Sequence, residues 1–483
     1  MNRNAGRASV LLPLTTLVCA CLQGCGGDGA QTGRQILMDL EHRQIPLPTE
    51  RGEAPAYISP GVLPAAGPVR LADLLRVAES HSPRLAAART EIGIAAGELW
   101  QASLYPNPRL DVNSEDISWR DGVSESKTTV GVTQPVILGK RREAAMDAAA
   151  AEREARAADV EAARRDVYGA VVSLYATIIS AREQRALYQE LRESASKTLS
   201  AAQTRFDAKA APETDVIRPR VELHRVDAAT ARLDQEIKTA SAQLGVLLGG
   251  VTVDPARLEG AIPASPEPLD ADAMAAAVRT SHPSLAAADR EIEAAEARVE
   301  RGKAERTPDL DIRVAAGYSG ERDEGIVEVG AGVTLPLWDA REGSILSFRF
   351  GVVRARHQRA VIEQELLERL AGATGEYEAA RAQLGTFREN IVPDAQRAFD
   401  QSGEGYRAGR SSFLDMLDAQ RTLTEARIAM SELASAANAA RAKVIQIVGP
   451  EALAMPNAAS GEVPLPSPQS PIQERPQGAE VKQ

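Results

Sequence analysis

Apolar and polar positions follow two different periods along this chain, and the changes of period mark its elements. From residue 70 to 104 the apolar positions recur at helical spacing, until Pro106 and Pro108 end the pattern. Residues 109–118 and 127–137 are short, rich in Val, Ile and Thr, and separated by Ser, Asp and Gly, which predicts a β-hairpin. No proline occurs between Arg141 and Phe206, while Val160, Val167, Leu174, Ala181, Tyr188, Ala195 and Ala202 recur at heptad spacing. That is a coiled-coil seam lined mainly by small side chains. A helix of about 65 residues spans on the order of 100 Å. A turn at Ala208–Pro212 reverses the chain, and the returning helix stops at Gly249 and Gly250. Pro219 falls where a helix begun at Thr214 needs a backbone N–H, so a later start or a bend is expected.

The whole succession then recurs. His81-Ser82-Pro83-Arg84-Leu85 is matched by Ser281-His282-Pro283-Ser284-Leu285, and the same offset pairs Asp111 with Asp311, Phe206 with Tyr406, Asp215 with Asp415 and Gly249 with Gly449. The second half reads as helix 270–306, strands 309–318 and 326–337, and helices 342–407 and 414–448, with a kink expected at Pro393. This gives a first repeat over 69–250 (hairpin 109–137, coiled coil 141–249), a linker at 251–269, and a second repeat over 270–449 (hairpin 309–337, coiled coil 342–448). Residues 25–68 read as an N-terminal linker and 450–483 as a disordered Pro-rich tail.

In the last strand Val327, Val329, Ala331, Val333 and Leu335 alternate with Glu328, Gly330, Gly332 and Thr334, which suits one face in lipid and one in water. A soluble hairpin with one buried face gives the same alternation. If the strands do meet lipid, their open edges cannot, because each unpaired backbone group there costs several kcal/mol. Single-chain barrels begin at about eight strands, so four per chain require at least two chains.

Composition narrows the class. Aromatics make up 4% of the chain, too few for a thick globular core and consistent with helices packed thinly on one another. The net charge of -11 argues against nucleic acid as a partner. Arg3 and Arg7, the apolar run Val10–Leu22 and then Gln23-Gly24-Cys25 read as an export signal over residues 1–24. Its end resembles a bacterial lipobox, which implies lipid on Cys25; a plain secretory signal is the alternative. Cys19, Cys21 and Cys25 are all the cysteines, so no disulfide framework or thiolate metal site is expected in the exported body. No long apolar run follows the signal, so any crossing of a membrane must be made by strands.

The order of helix, hairpin, very long helix, turn and helix, given twice, resembles the TolC family of outer-membrane efflux channels from residue 70 to 449. Leu104-Tyr105-Pro106-Asn107-Pro108, Gln134-Pro135 before Leu138-Gly139-Lys140-Arg141-Arg142, and Leu335-Pro336-Leu337-Trp338-Asp339 look like family signatures. The stretch Gly405-Tyr406-Arg407-Ala408-Gly409-Arg410 leading to Asp415 and Asp418 is the sharpest match. The resemblance implies a mainly α fold with a small β part: a homotrimer with a twelve-stranded β-barrel continued by a twelve-helix coiled-coil α-barrel. It implies a passive exit duct serving an inner-membrane RND-type transporter through a periplasmic adaptor, with no catalysis and no cofactor beyond the lipid. Within the family the motifs look most like the branch for heavy-metal cations, with organic drugs as the alternative cargo. A periplasmic coiled-coil adaptor without a pore is the rival class.

By the same resemblance Asp415 and Asp418 line the periplasmic entrance and Tyr406 helps to hold it shut, while Phe206, Asp215, Gly409 and Arg410 mark tip turns that meet the adaptor. Bland readings stay open: aspartates near a helix start also cap it, and a tyrosine also packs a turn. An arginine that latches the gate in some relatives falls on Ser411, with Arg410 one place earlier, and Arg218 stands where the second half has Asp418. No histidine pair has ligand spacing; His81 and His282 read as loop residues at equivalent places in the two repeats.

Overall fold

The computed structural model describes residues 27–43, 45, 47, 63–64, 67–117, 126–261 and 267–449. Cys25, the signal segment and the C-terminal tail lie outside them. The elements run α1 (Gly27–His42), α2 (Leu71–His81), α3 (Pro83–Ser103), β1 (Arg109–Glu115), β2 (Lys127–Val136), α4 (Arg141–Asp207) and α5 (Thr214–Leu247). The second half follows with α6 (Ala271–Ser281), α7 (Pro283–Ala304), β3 (Leu310–Ser319), β4 (Glu324–Val333), α8 (Glu342–Thr386), a π-helical turn Phe387–Ile391, α9 (Val392–Arg407) and α10 (Phe413–Val448).

Helix α4 is 67 residues long, about 100 Å at the usual rise. It packs against its own repeat through α3 and α5, and against the other repeat through α7 and α10. Its heptad positions Val160, Val167, Ala181, Tyr188, Ala195 and Ala202 are all buried. Val167, Ala181 and Tyr188 join Leu74, Leu85, Val171, Ile178, Leu233, Leu244 and Leu248 in the largest apolar cluster of the described residues. Between the repeats, Glu152 of α4 pairs with Arg298 of α7, and Arg156 reaches Glu291 at 3.4 Å.

The strands form one antiparallel sheet in the order β1-β2-β3-β4. The central pairing, β2 with β3, joins the two repeats in the register Lys127↔Ser319 to Val136↔Leu310. Leu110, Val112, Val130, Val132, Ile312, Val327 and Val329 lie exposed on one face. Among the described residues β1 and β4 have no outer neighbour, so the sheet ends in two open edges.

Several elements depart from expectation for identifiable reasons. Each expected first helix is two: Ser82 (ψ 121°) and His282 (ψ 126°) are extended, because a following proline excludes the helical region. Pro83 and Pro283 then open the next helix, where a missing N–H does no harm. The two histidines are not equivalent. His81 is the last residue of α2, whereas His282 is buried and caps α7, its Nδ1 accepting from the Ser284 N–H at 3.1 Å. Burial, with Arg165 and Arg369 nearby, pushes His282 down to about 4.

Helix α5 starts at Thr214 despite Pro219, whose ring is buried one and a half turns in. Near Pro393 the helix widens to a π turn just ahead of the proline, which relieves the clash with the preceding carbonyls. The segment after Cys25 is not simply a weakly packed linker. Ile36 and Leu40 of α1, and Ile45 beyond it, are buried with Ile92, Ala96, Leu99 and Val160. Gly33 lies directly on the Trp100 ring and Ile45 lies beside Gly93, so α1 runs antiparallel to α3.

Candidate functional site

The two helix-hairpin tips lie together at the end of the bundle, and one side chain joins them. Arg205, in the last turn of α4, places its guanidinium 4.9 Å from the centroid of Phe413 and 5.7 Å from that of Tyr406. Those two rings are 5.7 Å apart and tilted by 51°. Ala202 and Val216 from the first tip and Phe413 from the second are buried together, with Tyr406, Met416 and Leu417 packed around them. Among the described residues Arg205 Nη1 is buried without a hydrogen-bond partner, and the two ring faces lie against its guanidinium.

The second tip is tightly built. Gly409 has φ 70°, a conformation that glycine adopts without strain. Arg410 N–H donates to Gly405 O at 2.8 Å, and Ser411 Oγ donates to Ser402 O at 3.0 Å. Ser412 caps α10: its Oγ accepts from the Asp415 N–H at 3.1 Å, and the Asp415 carboxylate accepts from the Ser412 N–H at 2.8 Å. Ser-x-x-Asp here works as a capping box. The Ser412 backbone N–H holds the Asp415 carboxyl below the usual carboxylate range.

Asp415 is thus both exposed and committed to the cap, while Asp418, one turn on and also exposed, has no side-chain hydrogen bond or ion pair among the described residues. Tyr406 is half-buried by ring packing, and its hydroxyl has no hydrogen-bond partner within the chain among the described residues. Gly409 and Arg410 form the exposed turn. In the first tip Phe206 is 38% exposed, and Lys209 carries φ 55° where the second tip has glycine. Helix α5 has no side-chain cap, and the Asp215 N–H donates to Pro212 O at 3.1 Å.

Sequence reading did not single out Arg205. The only signal was a basic residue one place before the aromatic position shared by both repeats. Among the described residues no group of three His, Cys, Asp or Glu side chains is placed to hold a metal ion. No described helix is long and apolar enough to cross a membrane, which leaves the sheet to be considered.

Comparison with known proteins gives a consistent picture. The family model described as outer membrane efflux protein matches residues 74–250 and 276–450, one match per repeat. The cobalt-zinc-cadmium resistance protein CzcC of Cupriavidus metallidurans is 27% identical over 364 residues, covering 75% of this chain and 86% of that protein. Among solved structures, the outer membrane protein VceC of Vibrio cholerae superposes with TM-score 0.63 at 21% identity, covering 78% of this chain and 96% of its own. The open state of the Neisseria gonorrhoeae MtrE outer membrane channel does so with TM-score 0.63 at 18% identity, covering 84% and 97%.

Proposed function

We infer the role of the chain from its membership: it belongs to the outer membrane efflux protein family. It is an outer-membrane efflux duct with a TolC-like fold. We propose that it works as a homotrimer, that its cargo is heavy-metal cations, and that an inner-membrane RND-type transporter drives it through a periplasmic adaptor.

The observation that carries the oligomer is the open sheet. A four-stranded sheet with an exposed apolar face and two unpaired edges can sit in lipid only if copies of itself pair with those edges. Three copies give twelve strands. Asp415 and Asp418, exposed at the tip, then form two rings of carboxylates that concentrate cations at the periplasmic entrance and repel anions. Similarity to a cobalt-zinc-cadmium resistance protein supports the metal cargo.

Lipid on Cys25 completes the proposal. Helix α1 begins two residues after that cysteine and lies on α3 with Gly33 against Trp100, three residues before α3 ends and the chain turns toward the sheet. The start of α1 at Gly27 therefore lies toward the sheet end of the molecule, which supports a lipid anchor on that side.

Deleting the gene tests the cargo. Growth on cobalt, zinc and cadmium salts should fall while tolerance to organic dyes and detergents stays unchanged; the reverse pattern would replace the metal reading with the organic one.

A further inference from the structure

The face of the sheet opposite the apolar one carries a chain of ion pairs that crosses all four strands. The register stacks four rungs on that face: Glu115-Lys127-Ser319-Glu324, Asn113-Thr129-Gly317-Ile326, Asp111-Gly131-Ala315-Glu328, and Arg109-Thr133-Arg313-Gly330. Arg313 of β3 reaches over β2 to Asp111 of β1, with Nη2 2.7 Å and Nε 3.0 Å from the same carboxylate oxygen. Its Nη1 lies 3.5 Å from Glu328 on β4. Lys127 of β2 pairs with Glu328 across the rung that holds Gly317, and lies 4.0 Å from Glu115 of β1.

The floor beneath the longest bridge has been kept clear. A Cβ at Gly131 would stand 3.2 Å from Arg313 Nε, 3.2 Å from the Asp111 carboxylate and 2.9 Å from the Ala315 Cβ. A side chain at Gly131 would crowd the path of Arg313 to Asp111. Thr133 adds a hydrogen bond to Asp111 at 3.1 Å, which holds the carboxylate under the arginine. The network holds three carboxylates, those of Asp111, Glu115 and Glu328, against the two cations Lys127 and Arg313.

We propose that this face is a second ion filter of the duct, a belt on the barrel wall in which Arg313 sets the cation preference by neutralising Asp111 and Glu328. The proposal rests on the duct reading above, because only a closed barrel with its apolar face in lipid turns the belt toward the water-filled lumen. With Arg109, Glu324 and Asp311, which the register puts on the same face, each copy carries five carboxylates against three cations, and the copies around the barrel make a ring of negative charge far along the conduit from the tip aspartates. Permeating cations meet it after the entrance, so the two filters act in series. Paired charges also hold the ring in place, since each acid of the network is tied to a base on a different strand.

The test uses the purified full-length channel in planar bilayers under a KCl gradient, with Arg313→Gln, Glu328→Gln and the exchange Asp111→Arg with Arg313→Asp. Coulomb attraction across about 10 Å of water makes each unit charge worth roughly twofold in ion occupancy. Arg313→Gln should raise the potassium-to-chloride permeability ratio and Glu328→Gln should lower it. The exchange variant, which keeps both net charge and pairing, should leave it near that of the native channel and shows that the sheet still forms.

Opposite shifts in the two single variants support the belt. Unchanged reversal potentials in both, with a shift in the Asp415→Asn, Asp418→Asn double variant, overturn it and leave the tip as the filter. A native protein that never conducts would instead sink the duct reading and the belt with it.

Discussion

The two tip turns began as copies of one sequence and have been finished differently. The second has glycine at its left-handed residue, a Ser412–Asp415 capping box and a buried Phe413. The first has Lys209 in the same left-handed region, no side-chain cap on α5 and an exposed Phe206. Arg205 of the first tip lies on the aromatic rings of the second, so the plainer turn leans on the better-built one. A duplicated element need not share its stability evenly: one copy can serve as the anchor against which the other is placed.

The contrast predicts a strongly unequal response to losing an aromatic ring. Phe413→Ala should cost the tip ~3–5 kcal/mol, as for other buried phenylalanines, and raise hydrogen exchange in the first turns of α10 and the last turn of α4 together. Phe206→Ala, at a position 38% exposed, should cost less, about 1 kcal/mol. Equal effects would mean that the tips are alike in spite of their packing.

Swapping the turn residues sharpens the comparison with opposite signs. Gly409→Lys should destabilise the second tip by ~1 kcal/mol, because a residue with a Cβ is strained in the left-handed region, while Lys209→Gly should relieve the first by a similar or smaller amount. Limited proteolysis at the two turns reads both changes, and cleavage should move from one turn toward the other.

The smallest expected effect is one of pH. The folded Asp415 carboxyl lies below the ordinary aspartate range of about 4, so its contribution is present above that value and lost as pH falls through the lowered one. Exchange at the first turn of α10, corrected for intrinsic rates, should rise over that acid window in the native chain. Asp415→Asn should flatten the dependence.

Most of the architecture was legible because it is periodic. The heptad seam on α4 and the alternation on β4 write their burial directly into residue order, and the duplication then checks one half against the other. Breaks within an element were harder to read. The apolar period runs unbroken across Ser82-Pro83, so the single helix expected there gave no hint of a turn except the proline, which is harmless at a helix start. Helix α1 was missed because its apolar face is only Ile36, Leu40 and the later Ile45, a stripe too short to stand out in a Gly-rich segment. At the tip, the capping box could be read from Ser412 and Asp415. The stack of Arg205 on Phe413 could not, since residues so far apart in sequence meet only after both hairpins have formed.

That distance has a further consequence in the sheet. Strand β2 pairs with β1 in its own hairpin, but its second edge is filled only by β3, after α4, α5, α6 and α7 have all been made. Contacts between such distant segments form slowly, because the intervening chain must first be brought into place. While the polypeptide is being delivered, its first hairpin therefore waits with a bare, apolar ribbon edge, and insertion into the bilayer becomes a late event that the arrival of the C-terminal half must trigger.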